Sequence, residues 1–272
     1  MNRAPVFVLL TDFGLGDPYA GQMKAVLQQG CPGCTIIDLS HEVEAQNVIQ
    51  GGFFLAASWP YLPQGTVCIG VVDPGVGTSR GLLLLEKQGR YLLVPDNGLA
   101  SRILDMEGKH TLWTLEGQGG LRPSSATFHG RDLFAPLAVK LMQEGGPGSL
   151  WIPLTNGAVQ RVDAFNPTIQ GSKITASILH IDRFGNCILN LAIRDWDQLI
   201  STHGLWELIE PAPCRIQLVH TYQDLPREAV GMLKGSQAMF ELAMNQDSCA
   251  RWLNLKISSR CVLQPISGRA GS

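Results

Sequence analysis

The chain has 272 residues, of which 45% are hydrophobic and 16% charged, and its formal net charge is -2 at pH 7. This length exceeds the commonest size of a single domain, so one large or two modest domains are expected. The charge provides no basic surface of the kind that binds nucleic acid, and no apolar run reaches the roughly 18 residues of a membrane-spanning helix.

The cysteines indicate the redox compartment. There are seven, an odd number, and they are scattered along the chain. This favours reduced thiols in the cytoplasm over a disulfide framework. No small-residue cleavage pattern follows the N-terminus, so we expect no secretory signal. Cys31-Pro-Gly-Cys34 is a single CxxC that precedes a predicted strand rather than a helix, which argues against redox or metal chemistry there.

The first 150 residues alternate between strand and helix patterns. Strands are predicted at 6–10, 35–39, 67–72, 82–85, 91–95 and 110–115, and helices at 17–29, 48–59, 100–104 and 133–144. The strands 82–85 and 91–95 form a pair joined by a turn. This alternation predicts an α/β domain whose sheet is mostly parallel and is covered by helices on both faces.

The pattern changes after the glycine-rich stretch 145–148. We therefore expect an α/β catalytic domain at 1–150, a linker at 151–170 and a second domain at 171–272. Short strands are predicted in that domain at 174–181, 187–191, 216–221, 229–233, 240–244 and 254–263, with one helical piece near 195–199. Turn signals separate them, which is typical of a small antiparallel β-barrel.

The stretch 66–80 is the strongest candidate for a site. Its buried strand ends on Asp73, glycine and proline then force a tight loop, and Arg80 follows within reach of the carboxylate. In open α/β sheets, ligands bind outside the carboxyl ends of the strands. From spacing alone, the alternative remains open that the Asp–Arg pair only orders a polar turn.

Other polar residues also follow predicted strands or precede helices, namely Asp12, Asp96, Asn97 and His129. Each one alone is more commonly structural, for example as a helix N-cap. The combination of carboxylates, one arginine and one histidine on the loops of a single sheet favours a functional site.

Several longer motifs give the sequence a family resemblance. They are Thr11-Asp-Phe-Gly with Asp17, Asp38-Leu-Ser-His-Glu-Val43, Val71-Val-Asp-Pro-Gly-Val-Gly-Thr78 with Arg80, Val94-Pro-Asp-Asn-Gly98, Thr127-Phe-His-Gly-Arg-Asp132, Ile181-Asp-Arg-Phe-Gly-Asn186 and Gly235-Ser236 to Asn245. In this order and over nearly the whole chain, they resemble the adenosine-forming S-adenosyl-L-methionine (SAM) hydrolases, or SAM hydroxide adenosyltransferases, which are relatives of the fluorinase and chlorinase enzymes.

The resemblance implies a reaction. The family hydrolyses SAM to adenosine and L-methionine, with a water or hydroxide held by an Asp-Arg-His trio. The catalytic positions fall on Asp73, Arg80 and His129. Because the sulfonium already activates C5′, neither a cofactor nor a metal is implied.

The resemblance also assigns substrate contacts. Asp12 matches the carboxylate that holds the ribose hydroxyls. The remaining binding positions are Asp17 and Asp182 for the methionine ammonium, Phe184 and Asn186 for adenine, Ser236 for the methionine end, and Glu241 and Met244 in the strand that closes the adenine pocket. The family forms homotrimers, with the substrate between the first domain of one subunit and the barrel of its neighbour.

Two alternatives are weighed against hydrolysis. In the halogenating relatives an aromatic residue replaces the position of Asp73 and a hydroxyl-bearing residue that of Gly130, so this sequence favours the water-using branch. A non-catalytic SAM or adenosine sensor is the alternative from another class. The sequence departs from the family at Cys68, where histidine is commoner, and over 245–249, which affects the adenine pocket more than the chemistry.

Overall fold

The structure is a computed structural model that describes residues 4–115, 124–163, 166–203 and 205–266. The chain divides into two compact units, Met1–Val162 and Asp163–Ser272. No helix within the described ranges has both the length and the apolar character needed to cross a membrane.

A seven-stranded mixed sheet forms the core of the first unit. Its strands are β1 (Val6–Thr11), β2 (Thr35–Ser40), β3 (Val67–Val71), β4 (Leu82–Lys87), β5 (Arg90–Pro95), β6 (His110–Leu115) and β7 (Trp151–Leu154), in the order β2-β1-β3-β5-β4-β6-β7. The pairs β1–β2, β1–β3 and β3–β5 are parallel, and the pairs among β5, β4, β6 and β7 are antiparallel. The carboxyl ends of the four parallel strands therefore share one edge.

Helices cover both faces of this sheet. They are α1 (Tyr19–Gly30), α2 (Val48–Ser58), α3 (Ser101–Leu104) and α4 (Ala135–Glu144). Alternate residues of β1 point to opposite faces: Phe7 belongs to the core beneath α1 and α4, and Val8 to the core beneath α2 and α3. Such two-sided burial explains the continuous apolar runs of β1 and β3.

The second unit is a small β-barrel. Its strands are β8 (Thr168–Gln170), β9 (Lys173–Ile181), β10 (Cys187–Ala192), β11 (Leu205–Glu210), β12 (Cys214–Leu218), β13 (Val230–Lys234), β14 (Met239–Met244) and β15 (Arg260–Pro265). The order β10-β14-β13-β12-β11-β15-β9 closes through pairing of β10 with β9, and β8 extends β9 outward. All these pairs are antiparallel except β12–β13. The predicted fold class, an α/β domain with a small barrel, is confirmed.

Some predicted elements of the barrel were wrong in detail. The strand expected at 254–263 begins only at Arg260, because Asn254 and Ser258 have positive φ values of 51° and 67° and turn the chain. Strand β11 was not predicted, and the strand expected at 216–221 ends at Leu218. A second helix, α6 (Cys249–Trp252), accompanies α5 (Ile193–Thr202). The stretch expected as a linker carries β7 and β8.

Candidate active site

Asp73 lies just beyond the carboxyl end of β3 and is held by Arg80. Nε of Arg80 lies 2.8 Å from each carboxylate oxygen, and Nη2 donates to Oδ2. The loop between them makes two successive turns, in which Val76 N–H donates to Asp73 O and Thr78 N–H to Gly75 O. The two side chains are only 4% and 9% exposed. The ion pair expected from the sequence is thus buried and bidentate.

Asn97 fixes the chain that enters this loop. Its Nδ2 donates to the carbonyl of Val72 at 2.8 Å, and its Oδ1 accepts from Leu99 N–H. Asp96, another sequence candidate, instead accepts a hydrogen bond from Gln160 N–H. Asn97 therefore supports the peptide immediately before Asp73.

His129 completes a cluster with the same arginine. Its Nδ1 lies 3.0 Å from Nη2 of Arg80. A guanidinium only donates, so Nδ1 is the acceptor and the neutral ring carries its proton on Nε2. Burial, together with the positive charge of Arg80, lowers the pKa of His129 below its ordinary value. The predicted catalytic residues Asp73, Arg80 and His129 lie together.

A π-helical turn, Gly130–Phe134, presents His129 and runs into α4. Phe134 lies under the guanidinium of Arg80, 5.6 Å from Cζ to the ring centroid. Gly130 is closely packed, since a Cβ there would lie 3.0 Å from Met23 Sδ and 3.3 Å from Phe13 Cζ, and these side chains would have to shift by a few tenths of an ångström. The turn is therefore packed closely against the loop that follows β1.

Asp12 faces a small cavity of about 60 Å³ together with Asp73 and His129. The cavity is lined by Asp12, Phe13, Val71, Asp73, Val76, Thr127, Phe128, His129 and Gly130. Its Oδ2 accepts from Gln46 N–H at 2.8 Å. Burial raises the pKa of Asp12, and the negative charge of Asp73 adds to this effect. Asp17 is exposed farther along the same loop. The cavity has room for water beside four polar side chains, those of Asp12, Asp73, Thr127 and His129.

A larger cavity of about 720 Å³ lies in the second unit. Five of the predicted binding residues line it, namely Asp182, Phe184, Asn186, Ser236 and Met244. Residues 245–248, part of the segment whose departure from the family pattern was noted, also line it, and the lining residues that the sequence reasoning missed are Tyr222, Gln223 and Arg251. Tyr222 had a local signal, because Thr221 and Asp224 form a capping box around its short helical turn.

Asp182 organises one rim of this cavity. Its Oδ1 accepts from the backbone N–H groups of Phe184 and Asn186, both at 2.9 Å, and its Oδ2 accepts from Asn186 Nδ2. Gly185 has a φ of 88°, and a Cβ there would lie 2.1 Å from Ser248 Oγ. Asp182 therefore folds its own loop, while Phe184 remains 78% exposed beside the cavity.

Glu241 lies behind the cavity lining and is buried. The Tyr222 hydroxyl donates to its Oε1 at 2.5 Å, and a Cβ on Gly235 would lie 2.4 Å from its Oε2. Burial raises the pKa of Glu241, and burial and the bond to Glu241 raise that of Tyr222. This carboxyl group thus holds an aromatic ring at the cavity and packs against the loop that carries Ser236.

Each unit gathers its own set of polar groups. No group of three or more His, Cys, Asp or Glu side chains in the described ranges could hold a metal ion. The first unit brings together Asp12, Asp73, Arg80 and His129. The second unit presents carboxylates, amides and two aromatic rings around one cavity.

Comparison with known proteins agrees with this division. The model of the SAM hydroxide adenosyltransferase N-terminal domain matches residues 7–150, and that of the C-terminal domain matches residues 176–262. A crystal structure of an uncharacterized conserved protein from Thermotoga maritima superimposes with a TM-score of 0.84 at 26% identity, covering 95% of this chain and 99% of that one.

Curated relatives are similar over almost their full length. A protein from Thermus thermophilus named (R)-S-adenosyl-L-methionine hydrolase is 33% identical over 93% of this chain and 96% of its own. One of the same name from Methanocaldococcus jannaschii is 31% identical over 92% of each chain. A fluorinase from Nocardia brasiliensis is 23% identical over 94% of this chain and 95% of its own. The chain therefore belongs to the SAM hydroxide adenosyltransferase family.

Proposed function

We propose that this protein hydrolyses SAM to adenosine and L-methionine by direct attack of a water molecule on C5′. The observation that carries this proposal is the buried contact of Arg80 with both Asp73 and His129, beside the small cavity that Asp73 and His129 line. The relatives named as SAM hydrolases support the substrate and the reaction.

The substrate needs little activation. The sulfonium makes a neutral thioether the leaving group, so no acid or metal is required there. One C–O bond forms as the C5′–S bond breaks, and the water loses one proton. The enzyme must hold the oxygen in line behind C5′ and exclude other water, which is a task of positioning.

The cluster offers a role for each member. Asp73 orients the water and accepts its proton, as a general base does. Arg80 fixes the carboxylate and places positive charge near the oxygen that becomes nucleophilic. His129 directs the N–H of Nε2 toward the oxygen, because its Nδ1 is already bonded to Arg80. Together they hold the water in one orientation.

The binding residues divide between the two units. Asp12 suits the ribose diol, since one carboxylate can accept from two hydroxyls. Asp17 and Asp182 suit the methionine ammonium. The remaining contacts are proposed for Phe184, Asn186 and Met244 at adenine and Ser236 at the methionine end, while Glu241 acts on the adenine pocket through the Tyr222 ring that it holds. Tyr222 adds a second aromatic ring that lines the cavity with Phe184, which suits the stacking of a purine.

We further propose a homotrimer in which each substrate lies between the first unit of one subunit and the barrel of its neighbour. The support is the division of the binding residues between two units, together with the family resemblance. Phe184 and Trp252 on the barrel and Leu15 on the Asp12 loop are exposed apolar side chains that such an interface would bury.

The protein is proposed to act in the cytoplasm. Its seven cysteines are all free thiols, and five of them are buried. Reduced, buried thiols suit a reducing compartment better than the oxidising extracellular space.

The name of the relatives adds a stereochemical proposal. They are named for the (R) sulfonium epimer of SAM. A site that positions oxygen in line with C5′–S fixes the sulfonium substituents as well, so we propose that this protein prefers the (R) epimer.

A product assay in ¹⁸O-water tests the function. The protein is mixed separately with the (R) and (S) epimers, with and without added chloride or fluoride. Hydrolysis releases methionine and labels the adenosine 5′-hydroxyl, with inversion at C5′. A halonucleoside would reassign the protein as a halogenase, and tight binding without methionine release would make it a sensor. Retention at C5′, or an adenosylated peptide, would replace direct attack by two displacements.

A further inference from the structure

We infer that His41 is a positioning residue that sets the orientation of Asp12 toward the ribose by holding Thr11, an inference that rests on the proposed role of Asp12. His41 follows β2, whereas Asp12 follows β1, and these two strands are parallel neighbours. The contact therefore joins two loops at the carboxyl edge of the sheet.

A line of polar contacts runs inward from the surface to Thr11. Lys24 Nζ donates to Asp38 Oδ2 at 2.5 Å, and Asp38 Oδ1 lies 3.1 Å from His41 Nε2. His41 Nδ1 lies 2.8 Å from Thr11 Oγ1, which in turn accepts from Phe13 N–H at 3.3 Å. His41 and Thr11 are only 2% and 0% exposed. Water therefore has little access to replace a lost partner.

The donors and acceptors fix the direction of each bond. The carboxylate of Asp38 only accepts, so Nε2 of His41 carries the proton. With a proton on Nε2 alone, Nδ1 accepts from the Thr11 hydroxyl, which leaves Oγ1 free to accept from Phe13 N–H. Every group in the line is satisfied in this arrangement. Removing the acceptor at Nδ1 would leave a buried hydroxyl unpaired.

Backbone contacts connect the same residue to the rest of the Asp12 loop. The carbonyl of His41 accepts from Gly14 N–H at 2.7 Å, and that of Thr11 accepts from Val43 N–H at 3.4 Å. Asp12 itself accepts from Gln46 N–H. Residues on both sides of Asp12 are thus held by the 41–46 segment. The Thr11 hydroxyl spans Asp12, since it bonds His41 on one side and Phe13 on the other.

The test compares two ligands that differ only at the ribose. Calorimetry measures the Kd of adenosine and of 2′,3′-dideoxyadenosine for the full-length wild type. We expect a Kd ratio of about 100, since each of two hydroxyls donates to a carboxylate. Asp12→Ala should bring the ratio close to one.

The inference is tested by two variants that remove the Thr11 contact in different ways. His41→Gln can still reach Asp38 but offers nothing at the Nδ1 position, and Thr11→Val keeps the size of the side chain without the hydroxyl. Both should lower the Kd ratio about tenfold, the effect of losing one oriented hydrogen bond. Both variants should raise the Kd of adenosine and leave the Kd of 2′,3′-dideoxyadenosine almost unchanged.

Two further variants serve as controls. His41→Asn places an oxygen near the Nδ1 position and should recover most of the ratio. His203→Gln makes the same chemical change at the end of α5 in the barrel, outside the set of residues that line the large cavity. This variant should keep the wild-type Kd ratio. Thermal unfolding of each variant shows whether it is folded. If His41→Gln does not fold, Thr11→Val alone tests the inference.

The outcomes separate the inference from the function on which it rests. If Asp12→Ala collapses the ratio while His41→Gln and Thr11→Val retain it, the positioning role of His41 is wrong and the ribose role of Asp12 stands. Equal weakening of both ligands would make His41 merely structural. If Asp12→Ala leaves the ratio unchanged, the role proposed for Asp12 fails, and the inference fails with it.

Discussion

Nη2 of Arg80 lies 3.0 Å from Nδ1 of His129, so one guanidinium serves both the carboxylate and the imidazole. This contact requires an unprotonated Nδ1. A proton at that atom would place two cationic groups in contact within a buried cluster. The arrangement is therefore intact only when His129 is neutral.

The first prediction concerns pH. Burial and the charge of Arg80 lower the pKa of His129, so the neutral ring predominates at and above its ordinary value of 6.5. The kcat should fall on the acid side of pH 6.5, as His129 becomes protonated and the contact is lost. A pH–rate profile measures this limb, and His129→Gln should be slower and should lack it. An acid limb centred above pH 7 in the wild type would contradict the assignment.

The second prediction concerns the base. Asp73→Ala should lower kcat by about 10²–10⁴, the usual loss for a general base, while adenosine binds almost as before. Asp197→Ala removes a surface carboxylate that bonds Lys234 and is the matched control, with wild-type turnover expected. Steady-state kinetics and calorimetry measure the two effects. Turnover of Asp73→Ala within threefold of wild type would refute the role of this carboxylate.

The third prediction concerns the room beside His129. Gly130→Ala should press on Phe13 and Met23 and lower kcat about tenfold or more, because small displacements in a positioning site are costly. Overpacking should also cost about 1–3 kcal/mol of stability. Gly21→Ala in α1 meets nothing within 4 Å and is the control, expected to keep full activity. Equal kinetics for both variants would show that the close packing at Gly130 has no functional role.

The fourth prediction concerns Glu241. Its raised pKa means that the folded protein binds a proton more tightly than the unfolded chain, whose value is near the ordinary 4.5. This contribution to stability is complete below pH 4.5 and is lost as the pH rises through the folded-state pKa. Glu241→Gln removes it, so the variant should gain stability relative to wild type between pH 4.5 and 8. Urea unfolding across that range measures the difference, and a constant difference would contradict the prediction.

The fifth prediction concerns assembly. Light scattering should give three times the chain mass of 29.5 kDa. Asp73→Ala and Asn186→Ala should each be nearly inactive, yet their mixture after joint refolding should regain activity. If neighbouring subunits share each site, a site is intact when its first unit comes from the Asn186→Ala chain and its barrel from the Asp73→Ala chain. Random mixing gives this combination at about a quarter of the sites. An active monomer, or no complementation between refolded variants, would exclude shared sites.

The parallel strands could be predicted because the apolar sequence that marks each strand locally is also the sequence that burial between two layers of helices requires. Strands β1 and β3 are buried on both faces, so their sequences are continuous apolar runs, and the residue after each run lies at the ligand-binding edge. This principle was enough to single out Asp12 and Asp73. Arg80 followed from the short loop that returns it to the carboxylate.

The contacts within the barrel form only when its sheet closes and brings distant segments together. No local stretch of the sequence specifies these pairings. The sequence of β11, Leu-Trp-Glu-Leu-Ile-Glu, also fits a helical spacing, and its pairing with β12 and β15 decides in favour of a strand. Similarly, Tyr222 and Glu241 lie 19 residues apart on a helical turn and on β14. Nothing in either segment specifies the other as its partner.

The loop of Asp182 has a consequence for the thermodynamics of binding. Its carboxylate is bonded to the loop's own N–H groups and to Asn186, so hydrogen bonds within the loop already hold this rim of the large cavity without a ligand. A ligand that enters therefore orders few backbone torsions, and it loses little of its binding free energy to conformational entropy. Replacing Asp182 would remove this preorganisation along with a charge.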